Sequence, residues 1–493
     1  MNHMLTWVRK VYLDHAATTP ILPAVRRELA KIAAKAFGNA ASLHSRGRQA
    51  RGIVDQARRS VADLLGCHPE RILFVSGGTE ANNAVVKGVF LQAGGKGHII
   101  TSSIEHESVL GACRQVERLG ARVTRLAAER DGRVLPEHVK AALRPDTILI
   151  SVMHANNETG AIQPVNVIGA IARDAGVPLH VDAVQSAGKI PIRVDEIGCE
   201  FLTLSAHKIN GPKGVGALFW QGGAGWQPLV YGGDQEQGMR AGTEAMHQIA
   251  AFGLACRLAT QRMDAECKRL AALRERLLKQ LRVMVPDLVI HEAEPDKQLP
   301  GTLNLAFPGQ QGIQLLAGLD CHGVAVSIGS ACTADRVEPS HALLGMGVSE
   351  REALSSIRVS MGTTTNWKDL AYFLRVLPNV LRGLPQGLAF LDPQHLTEAR
   401  MQSADTFMVD MRFAYERLLS SPIKGSAQWS PLHIDRHFKA IPKDKEVILI
   451  CATGYLSFVA GYRLAHFGHP NVKVVYGGYD AWKSLQPAMI GKD

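Results

Sequence analysis

The feature that most constrains this chain is an apolar run that ends in a polar loop carrying a lysine. The run reads Phe201-Leu-Thr-Leu-Ser205-Ala-His207-Lys208, and it follows the segment Val181-Asp182-Ala-Val-Gln185 by about twenty residues. Short apolar runs that end in polar turns are typical of buried strands. The pattern therefore predicts that Asp182 and Lys208 follow neighbouring strands of one buried sheet.

This pair of residues indicates a specific chemistry. A lysine amine can form a Schiff base with an aldehyde cofactor, and a carboxylate can hold a pyridinium nitrogen in its protonated form. The spacing of Lys208 and Asp182 therefore predicts pyridoxal phosphate as the cofactor.

A phosphate site is predicted earlier in the chain. Residues 71–75 (Arg-Ile-Leu-Phe-Val) indicate a buried strand, which is followed by Ser76-Gly77-Gly78-Thr79-Glu80 and a helical run through Val89. Glycines let the backbone approach a phosphate closely, and the free N–H groups of a new helix can bind it together with the Thr79 hydroxyl. The segment lacks the lysine of a nucleotide-binding loop. Ser205 and His207 flank Lys208 and can donate to the same phosphate.

Seven ordered motifs between about residue 11 and about residue 385 resemble those of cysteine desulfurases. They are Tyr12-Leu-Asp14-His-Ala-Ala-Thr-Thr, Ser76-Gly-Gly-Thr79-Glu-Ala-Asn-Asn, Glu105-His106-Glu-Ser, Asn156-Asn157-Glu-Thr-Gly, His180-Val-Asp182-Ala-Val-Gln185, Ser205-Ala-His207-Lys208 and Met239-Arg-Ala-Gly-Thr243-Glu. The stretch from Gly38 to His44 departs from the family by carrying alanines in place of Pro-Ser, and Gly78 replaces a more usual alanine.

The resemblance implies a role for each of these side chains. Lys208 would bind the cofactor and later move protons on the substrate carbon, and His106 would stack on the pyridine ring. The remaining contacts implied by the resemblance are Asp182 to the ring nitrogen, Gln185 and Asn157 to the phenolate oxygen and the substrate side, and Gly78, Thr79, Ser205, His207 and Thr243 around the phosphate. Thr243 would come from the opposite subunit, which implies an obligate homodimer. Arg358 would hold the substrate carboxylate, for which a guanidinium fork is suited.

A cysteine distinguishes desulfuration from the other reactions of this cofactor, such as transamination. Cys332 lies among small residues in Ser327-Ile-Gly-Ser330-Ala-Cys332-Thr-Ala, where a thiol is more reactive than in an apolar core. The Ser-Ala-Cys-Thr sequence resembles the longer-loop class of desulfurases. By that resemblance Cys332 attacks the γ-sulfur of L-cysteine, which leaves L-alanine and a persulfide. Selenocysteine lyase activity would use the same apparatus and stays open.

A second unit is predicted after the joint at Leu384-Pro385-Gln-Gly387. A strand over residues 446–450 leads into Cys451, and the backbone N–H groups of the following turn can stabilise a thiolate or persulfide. Cys451, Asp410-Met-Arg412 and Gly477-Gly478-x-x-Ala481-Trp482 resemble a rhodanese domain. Its cysteine loop lacks arginines, which disfavours thiosulfate and favours a persulfide donor. Cys451 could therefore receive sulfur from Cys332, or the domain could serve only for docking.

The predicted architecture is α/β: a fold type I pyridoxal phosphate transferase followed by an α/β rhodanese domain. The transferase covers residues 1–385, with a large, mostly parallel sheet domain over about 15–260. A small α+β domain is built from the N-terminus and about 261–385. Residues 386–397 are predicted as a linker, and residues 398–493 as the rhodanese domain. The predicted function is conversion of L-cysteine to L-alanine with sulfur relay through Cys332 and Cys451 to an acceptor protein.

Composition sets limits on location and partners. The sequence contains neither eighteen consecutive apolar residues nor a leader with a cleavage site, so a membrane span and secretion are not expected. Eight cysteines without Cys-x-x-Cys or zinc spacing indicate reduced thiols in a cytoplasmic protein and no metal site. The net charge of +10 is compatible with acidic protein partners or with tRNA contact. Iron-sulfur assembly, tRNA thiolation, and molybdenum or thiamine cofactor synthesis all remain open as destinations of the sulfur.

Overall fold

The computed structural model describes residues 9–329, 339–420 and 422–485, and Cys332 lies outside these residues. The strands are β1 (Val11–Tyr12), β2 (Ile72–Val75), β3 (His98–Ser102), β4 (Arg122–Leu126), β5 (Thr147–Met153), β6 (Leu179–Asp182), β7 (Phe201–Ser205), β8 (Gly216–Trp220), β9 (Val289–His291), β10 (Thr302–Ala306), β11 (Val324–Ala325), β12 (Ser356–Ser360), β13 (Leu388–Leu391), β14 (Thr406–Asp410), β15 (Ala427–Gln428), β16 (Glu446–Ile450) and β17 (Val472–Val475). The helices are α1 (Pro23–Lys35), α2 (Ser45–Leu65), α3 (Gly78–Gln92), α4 (Glu107–Arg118), α5 (Pro136–Ala142), α6 (Val165–Asp174), α7 (Val194–Ile197), α8 (Met246–Met284), α9 (Gly312–Cys321), α10 (His341–Gly345), α11 (Glu350–Leu354), α12 (Trp367–Leu381), α13 (Glu398–Met401), α14 (Ala414–Ser420), α15 (Tyr455–His466) and α16 (Gly478–Ser484).

A seven-stranded sheet forms the large domain, in the order β2-β8-β7-β6-β5-β3-β4. Only β8 runs antiparallel to its neighbours, so the predicted mostly parallel sheet is confirmed. Strands β2, β3, β6 and β7 are buried along their whole length, as expected for strands covered by helices on both faces. Because β6 and β7 are parallel neighbours, their carboxyl ends bring Asp182 and Lys208 to the same edge of the sheet.

The smaller α+β part is built around the antiparallel sheet β12-β10-β9 and the parallel pair β1-β11. The N-terminal segment joins it through a bridge between Asp14 and Ser360. Helix α8 is 39 residues long and contributes Phe252 to the core of the large domain and Leu277 to the core of the smaller part. The boundary expected near residue 260 therefore falls inside one continuous helix.

The C-terminal unit is a parallel five-stranded sheet in the order β13-β17-β16-β14-β15. Its edge strand β13 lies inside the segment 386–397, which was predicted as a linker, and that prediction is wrong for these residues. The reason is local: Leu388 and Leu391 are buried, and the strand pairs in parallel with β17. A four-residue strand between two prolines gives too short an apolar pattern to separate from a linker.

Helices α9 and α15 join the two halves of the chain. Ile313 and Ala317 of α9 belong to the same apolar cluster as the core of the C-terminal sheet. At the far end of this contact the rings of His322 and His466 meet edge to face, with centroids 5.0 Å apart. The two halves are therefore packed against each other as well as covalently linked. Across the described ranges, each helix is either too short or too polar for a transmembrane segment.

Candidate functional site

A cavity of about 190 Å³ lies at the carboxyl ends of β6 and β7. With the exception of Thr243, every residue predicted to bind the cofactor lines it, and so does Arg358. These lining residues are Gly78, Thr79, His106, Asn157, Asp182, Gln185, Ser205, His207, Lys208 and Arg358. Gly78 and Arg358 are 280 positions apart in the sequence, and both line this cavity.

Lys208 ends the short 3-10 turn that follows β7. Its Nζ donates hydrogen bonds to the carbonyl oxygens of Ala16 and Ala17, at 2.5 and 2.9 Å. The N-terminal segment is itself fixed to this turn, because the Thr19 N–H donates to the carbonyl oxygen of His207 at 3.0 Å. The lysine amine is therefore held in place at the cavity wall by backbone carbonyls.

A hydrogen-bond network links Asp182 to His106. Asn82 Nδ2 donates to Asp182 Oδ2 at 2.7 Å and to Ser108 Oγ at 2.8 Å. Ser108 Oγ in turn lies 2.8 Å from His106 Nδ1. The Val184 N–H donates to the other Asp182 oxygen at 3.0 Å, so both carboxylate oxygens are occupied. These contacts fix the Asp182 carboxylate in the wall of the cavity.

When the His106 ring is neutral, its hydrogen bonds determine which ring nitrogen carries the proton. The Ser108 N–H donates to His106 Nδ1 at 3.1 Å, so this nitrogen is an acceptor and the proton lies on Nε2. His106 also caps the N-terminus of α4 through this bond. This capping bond fixes the ring in the wall of the cavity, the position expected for stacking on the cofactor.

The first turn of α3, where the phosphate is predicted to bind, forms one end of the cavity. Gly78 is required there, since a Cβ at this position would lie 2.8 Å from Cγ2 of Val184. An alanine at this position would require Val184 to shift. His207 Nδ1 lies 3.1 Å from Thr18 Oγ1, and burial together with the charge of Lys208 lowers its pKa to about 4. His207 is accordingly neutral at physiological pH.

Arg358 lies on β12 and is 1 % exposed. Its Nη2 forms an ion pair with Asp14 Oδ1 at 2.8 Å, and its Nη1 donates to the carbonyl oxygen of Asn157 at 3.0 Å. Among the described residues its Nε has no hydrogen-bond partner. A buried guanidinium with an unused N–H is suited to a carboxylate ligand.

Thr243 lies apart from the other predicted residues. It lines a different cavity, together with Ser76, Glu236 and Arg240. Arg240 connects this region to the phosphate turn, since its Nε donates to Glu80 Oε1 at 2.9 Å. Within one chain the structure does not bring Thr243 to the cavity of Lys208.

Cys451 follows β16 and is 2 % exposed. The Ser457 N–H donates to its Sγ at 3.3 Å, and Ser457 Oγ lies 3.4 Å away. Its carbonyl oxygen accepts a hydrogen bond from the Tyr479 N–H at 2.8 Å. Gly478, at φ +65°, makes this contact between loops possible, because a Cβ there would lie 2.4 Å from the Cys451 carbonyl oxygen. The thiol thus lies in a cradle built mainly from backbone.

A second cavity, of about 1150 Å³, lies between the two halves of the chain. From the N-terminal side its lining includes Gly329 and Ser340, which directly flank the segment that contains Cys332. From the C-terminal side it includes Gly454 and Gly477 of the Cys451 cradle. One open space therefore adjoins both the ends of the Cys332 segment and the loop after Cys451.

Two residues of the Lys208 cavity were not singled out in the sequence, namely Asn82 and Ser108. Both lie in motifs used for the family resemblance, but neither was assigned a role. Asn82 is one helical turn after Thr79 in α3, and this spacing places the two on the same face of the helix. That spacing was the available signal for Asn82.

The cavity fits pyridoxal phosphate. Its polar groups are of the kinds that the cofactor needs: a lysine amine for the aldehyde, a buried carboxylate to accept from the ring nitrogen, and a helix N-terminus with hydroxyls for the phosphate. The oxygen Oδ1 of Asn82 is buried and has no partner among the described residues, which leaves an acceptor on a side chain that lines the cavity.

Comparisons with known proteins agree with this geometry. Residues 11–373 match the aminotransferase class-V family, and residues 393–485 match the rhodanese-like domain. The cysteine desulfurase IscS of Dictyoglomus turgidum is 43 % identical over 76 % of this chain and 95 % of its own length.

Solved structures give the same result. A NifS-like protein from Rickettsia africae is 33 % identical, with a TM-score of 0.69 over 76 % of this chain and all of its own. A structure of SspA in complex with cysteine is 34 % identical, with a TM-score of 0.63 over 71 % of this chain and 99 % of its own. The chain therefore belongs to the pyridoxal phosphate-dependent cysteine desulfurases of the aminotransferase class-V family, and it carries a rhodanese-like domain at its C-terminal end.

Proposed function

We propose that this protein removes the sulfur of L-cysteine as a persulfide on Cys332 and passes it to Cys451 for delivery to an acceptor protein. The observation that carries the relay is the cavity between the two halves, which adjoins the ends of the Cys332 segment and the Cys451 cradle. The similar structure of SspA in complex with cysteine supports L-cysteine as the substrate.

Bound pyridoxal phosphate would supply the electron sink that makes the α-proton of the substrate removable. The protein's own groups would do the rest. Arg358 would bind the substrate carboxylate, and Asp14 and the Asn157 carbonyl orient its guanidinium. Lys208 would accept and return protons on the substrate carbon. Asp182, fixed by Asn82, would hold the proton on the ring nitrogen.

The sulfur transfer balances without an added oxidant. The Cys332 thiolate attacks the γ-sulfur, the carbon–sulfur bond of the substrate breaks, and the carbon fragment takes up protons to leave as alanine. The Cys451 thiolate then attacks the outer sulfur of the persulfide, and Cys332 leaves as a thiolate. The backbone N–H of Ser457, which points at the Cys451 sulfur, would stabilise the anionic product.

Mass spectrometry tests the relay. The loaded protein is incubated briefly with L-cysteine, and each cysteine is examined for one added sulfur. We expect label on Cys332 and Cys451, loss of both labels in Cys332→Ser, and loss of only the second in Cys451→Ser. Cys67→Ser, which changes a half-buried cysteine elsewhere, serves as the control. Label confined to Cys332 would contradict the relay and leave the C-terminal unit as a docking module.

We also propose that the active form is a homodimer in which Thr243 completes the phosphate site of the partner. Two observations support this. Thr243 lies outside the Lys208 cavity of its own chain, and Tyr231, in the same loop region, is 70 % exposed. Leu229 and Val230 beside it are also exposed, and a contiguous apolar patch of this kind marks an interaction surface.

Subunit mixing tests the shared site. Lys208→Ala and Thr243→Ala chains are each expected to be impaired, and mixed dimers should contain one intact site. Refolding the two together should restore about a quarter of the wild-type activity, as random pairing requires. Activity that stays at the level of the separate variants would contradict the proposal.

A further inference from the structure

Lys189 lies behind the wall of the cofactor cavity, four residues after Gln185 in the turn that follows β6. Its Nζ donates a hydrogen bond to Gln185 Oε1 at 3.0 Å. On the other side of the same amide, Gln185 Nε2 donates to the carbonyl oxygen of Ala16 at 2.8 Å. The amide of Gln185 is thus held from both ends.

These two contacts allow only one orientation of the amide. Its oxygen must face Lys189, which has donors only, and its nitrogen must face the Ala16 carbonyl, which is an acceptor only. A flipped amide would place two donors together at one end and two acceptors together at the other. The second N–H of Gln185 is left for an acceptor in the cavity that this residue lines.

The surroundings of Lys189 are unfavourable for a charged amine. Burial and the nearby charges of Lys208 and Arg358 lower its pKa to about 7. Among the described residues no carboxylate lies within ion-pair distance of it. The Sγ of Cys267 in α8 donates to the carbonyl oxygen of Lys189, which fixes its backbone. A buried lysine without a counter-ion is costly, and such groups are concentrated at functional sites.

We propose that Lys189 is a positioning residue that orients the Gln185 amide so that an N–H faces the phenolic oxygen of the bound cofactor. The inference rests on the proposed function, because it requires pyridoxal phosphate in the cavity with that oxygen beside Gln185. Lys189 acts through Gln185 and does not itself touch the cofactor.

The absorption spectrum of the bound cofactor reports on this contact. A donor beside the phenolic oxygen favours its ionised form, so losing the donor raises the pH at which the visible band changes. A hydrogen bond to a charged group corresponds to a shift of about one pH unit. Lys189→Met should therefore raise the midpoint of the spectral titration by about one unit. Lys213→Met, at an exposed lysine near Lys208, should leave the midpoint in place.

A double-mutant cycle separates positioning from the direct effect of a positive charge. Gln185→Ala should raise the midpoint as Lys189→Met does, and the double variant should show no further shift. Lys189→Arg keeps a donor and should restore a midpoint close to that of the wild type. Gln185→Glu provides a measurement with Lys189 intact: without an N–H at position 185 the midpoint should also rise.

Three results would overturn the inference. They are an unchanged midpoint in Lys189→Met, an equal shift for that change in the Gln185→Ala background, and an unchanged midpoint in Gln185→Glu. The last result decides the matter if Lys189→Met does not fold. Failure of the proposed function looks different, because the wild-type protein would then develop no visible band with pyridoxal phosphate.

Discussion

Two sites in this molecule place a reactive side chain just after a parallel strand, and they are built in different ways. Lys208 follows β7 and is surrounded by side chains that hold one another: Asp182, Asn82 and His106 form one network. Cys451 follows β16 and is held by close backbone contacts: the Ser457 N–H donates to its Sγ, and a Cβ at Gly478 would lie 2.4 Å from its carbonyl oxygen. The same position in a sheet thus serves a site specified by side chains and a site specified by glycine conformation.

The two sites are therefore damaged by different kinds of substitution. In the first site a substitution removes a chemical group while the backbone keeps its path. In the second site a substitution that adds a single carbon atom forces the backbone apart.

Replacing Lys208 should abolish the reaction while leaving the fold intact. Lys208→Ala removes the amine that would bind the cofactor and move protons, and such groups contribute about 10³-fold or more. Alanine formation from L-cysteine measures the loss, and circular dichroism checks the fold. Lys213→Ala, at an exposed lysine of the same loop, is the control. Substantial alanine formation by Lys208→Ala would show that the first site does not depend on this side chain.

Adding a methyl group at Gly478 should damage the Cys451 cradle. The new Cβ would lie 2.4 Å from both the Cys451 carbonyl oxygen and the Gly454 nitrogen, at a φ of +65°. We expect Gly478→Ala to lower the free energy of unfolding of the C-terminal unit by more than about 3 kcal/mol and to abolish labelling of Cys451.

Gly468 provides the matched control, because its φ is +89° and nothing lies within 4 Å of a Cβ there. Gly468→Ala should cost only about 1 kcal/mol, for the backbone conformation alone. Denaturant unfolding followed by tryptophan fluorescence measures both variants. Equal losses at the two glycines would contradict a cradle that depends on close backbone contact.

Glu105 should make the first site sensitive to pH. It is fully buried behind Asp182, and burial raises its pKa to about 8, while Ser102 Oγ donates to its Oε1 at 2.5 Å. The unfolded chain releases this proton near pH 4.3, so the raised pKa costs stability progressively as the pH rises from about 4 to about 8.

Glu105→Gln resembles the protonated acid and should remove that dependence. The midpoint temperature of unfolding of this variant should exceed that of the wild type by at least about 2 °C at pH 8, and the gap should shrink towards pH 5. The exposed Glu129→Gln is the control. A gap that stays constant between pH 5 and pH 8 would show that Glu105 is not neutral in the folded protein.

The same comparison explains how much could be predicted from sequence. The first site is visible because its side chains lie in ordered motifs, and nearly all of those predicted meet in one cavity. Lys189 was not predicted, because a single lysine after a turn has no distinguishing sequence pattern. Its burial also depends on contact with α8, which is distant in the sequence. The edge strand β13 escaped for a similar reason, since its pairing partner β17 lies some eighty residues later.

The packing of α9 against α15 changes how the sulfur relay should respond to chain length. A flexible tether would set the encounter of the two cysteines by its length, with an effective concentration of about millimolar. Here β13 is part of the C-terminal sheet, and Ile313 and Ala317 share the apolar core of that unit. In the proposed relay a fixed interface would therefore govern the encounter, and residues inserted at Gly383 should leave the transfer rate unchanged as long as the two helices stay in contact.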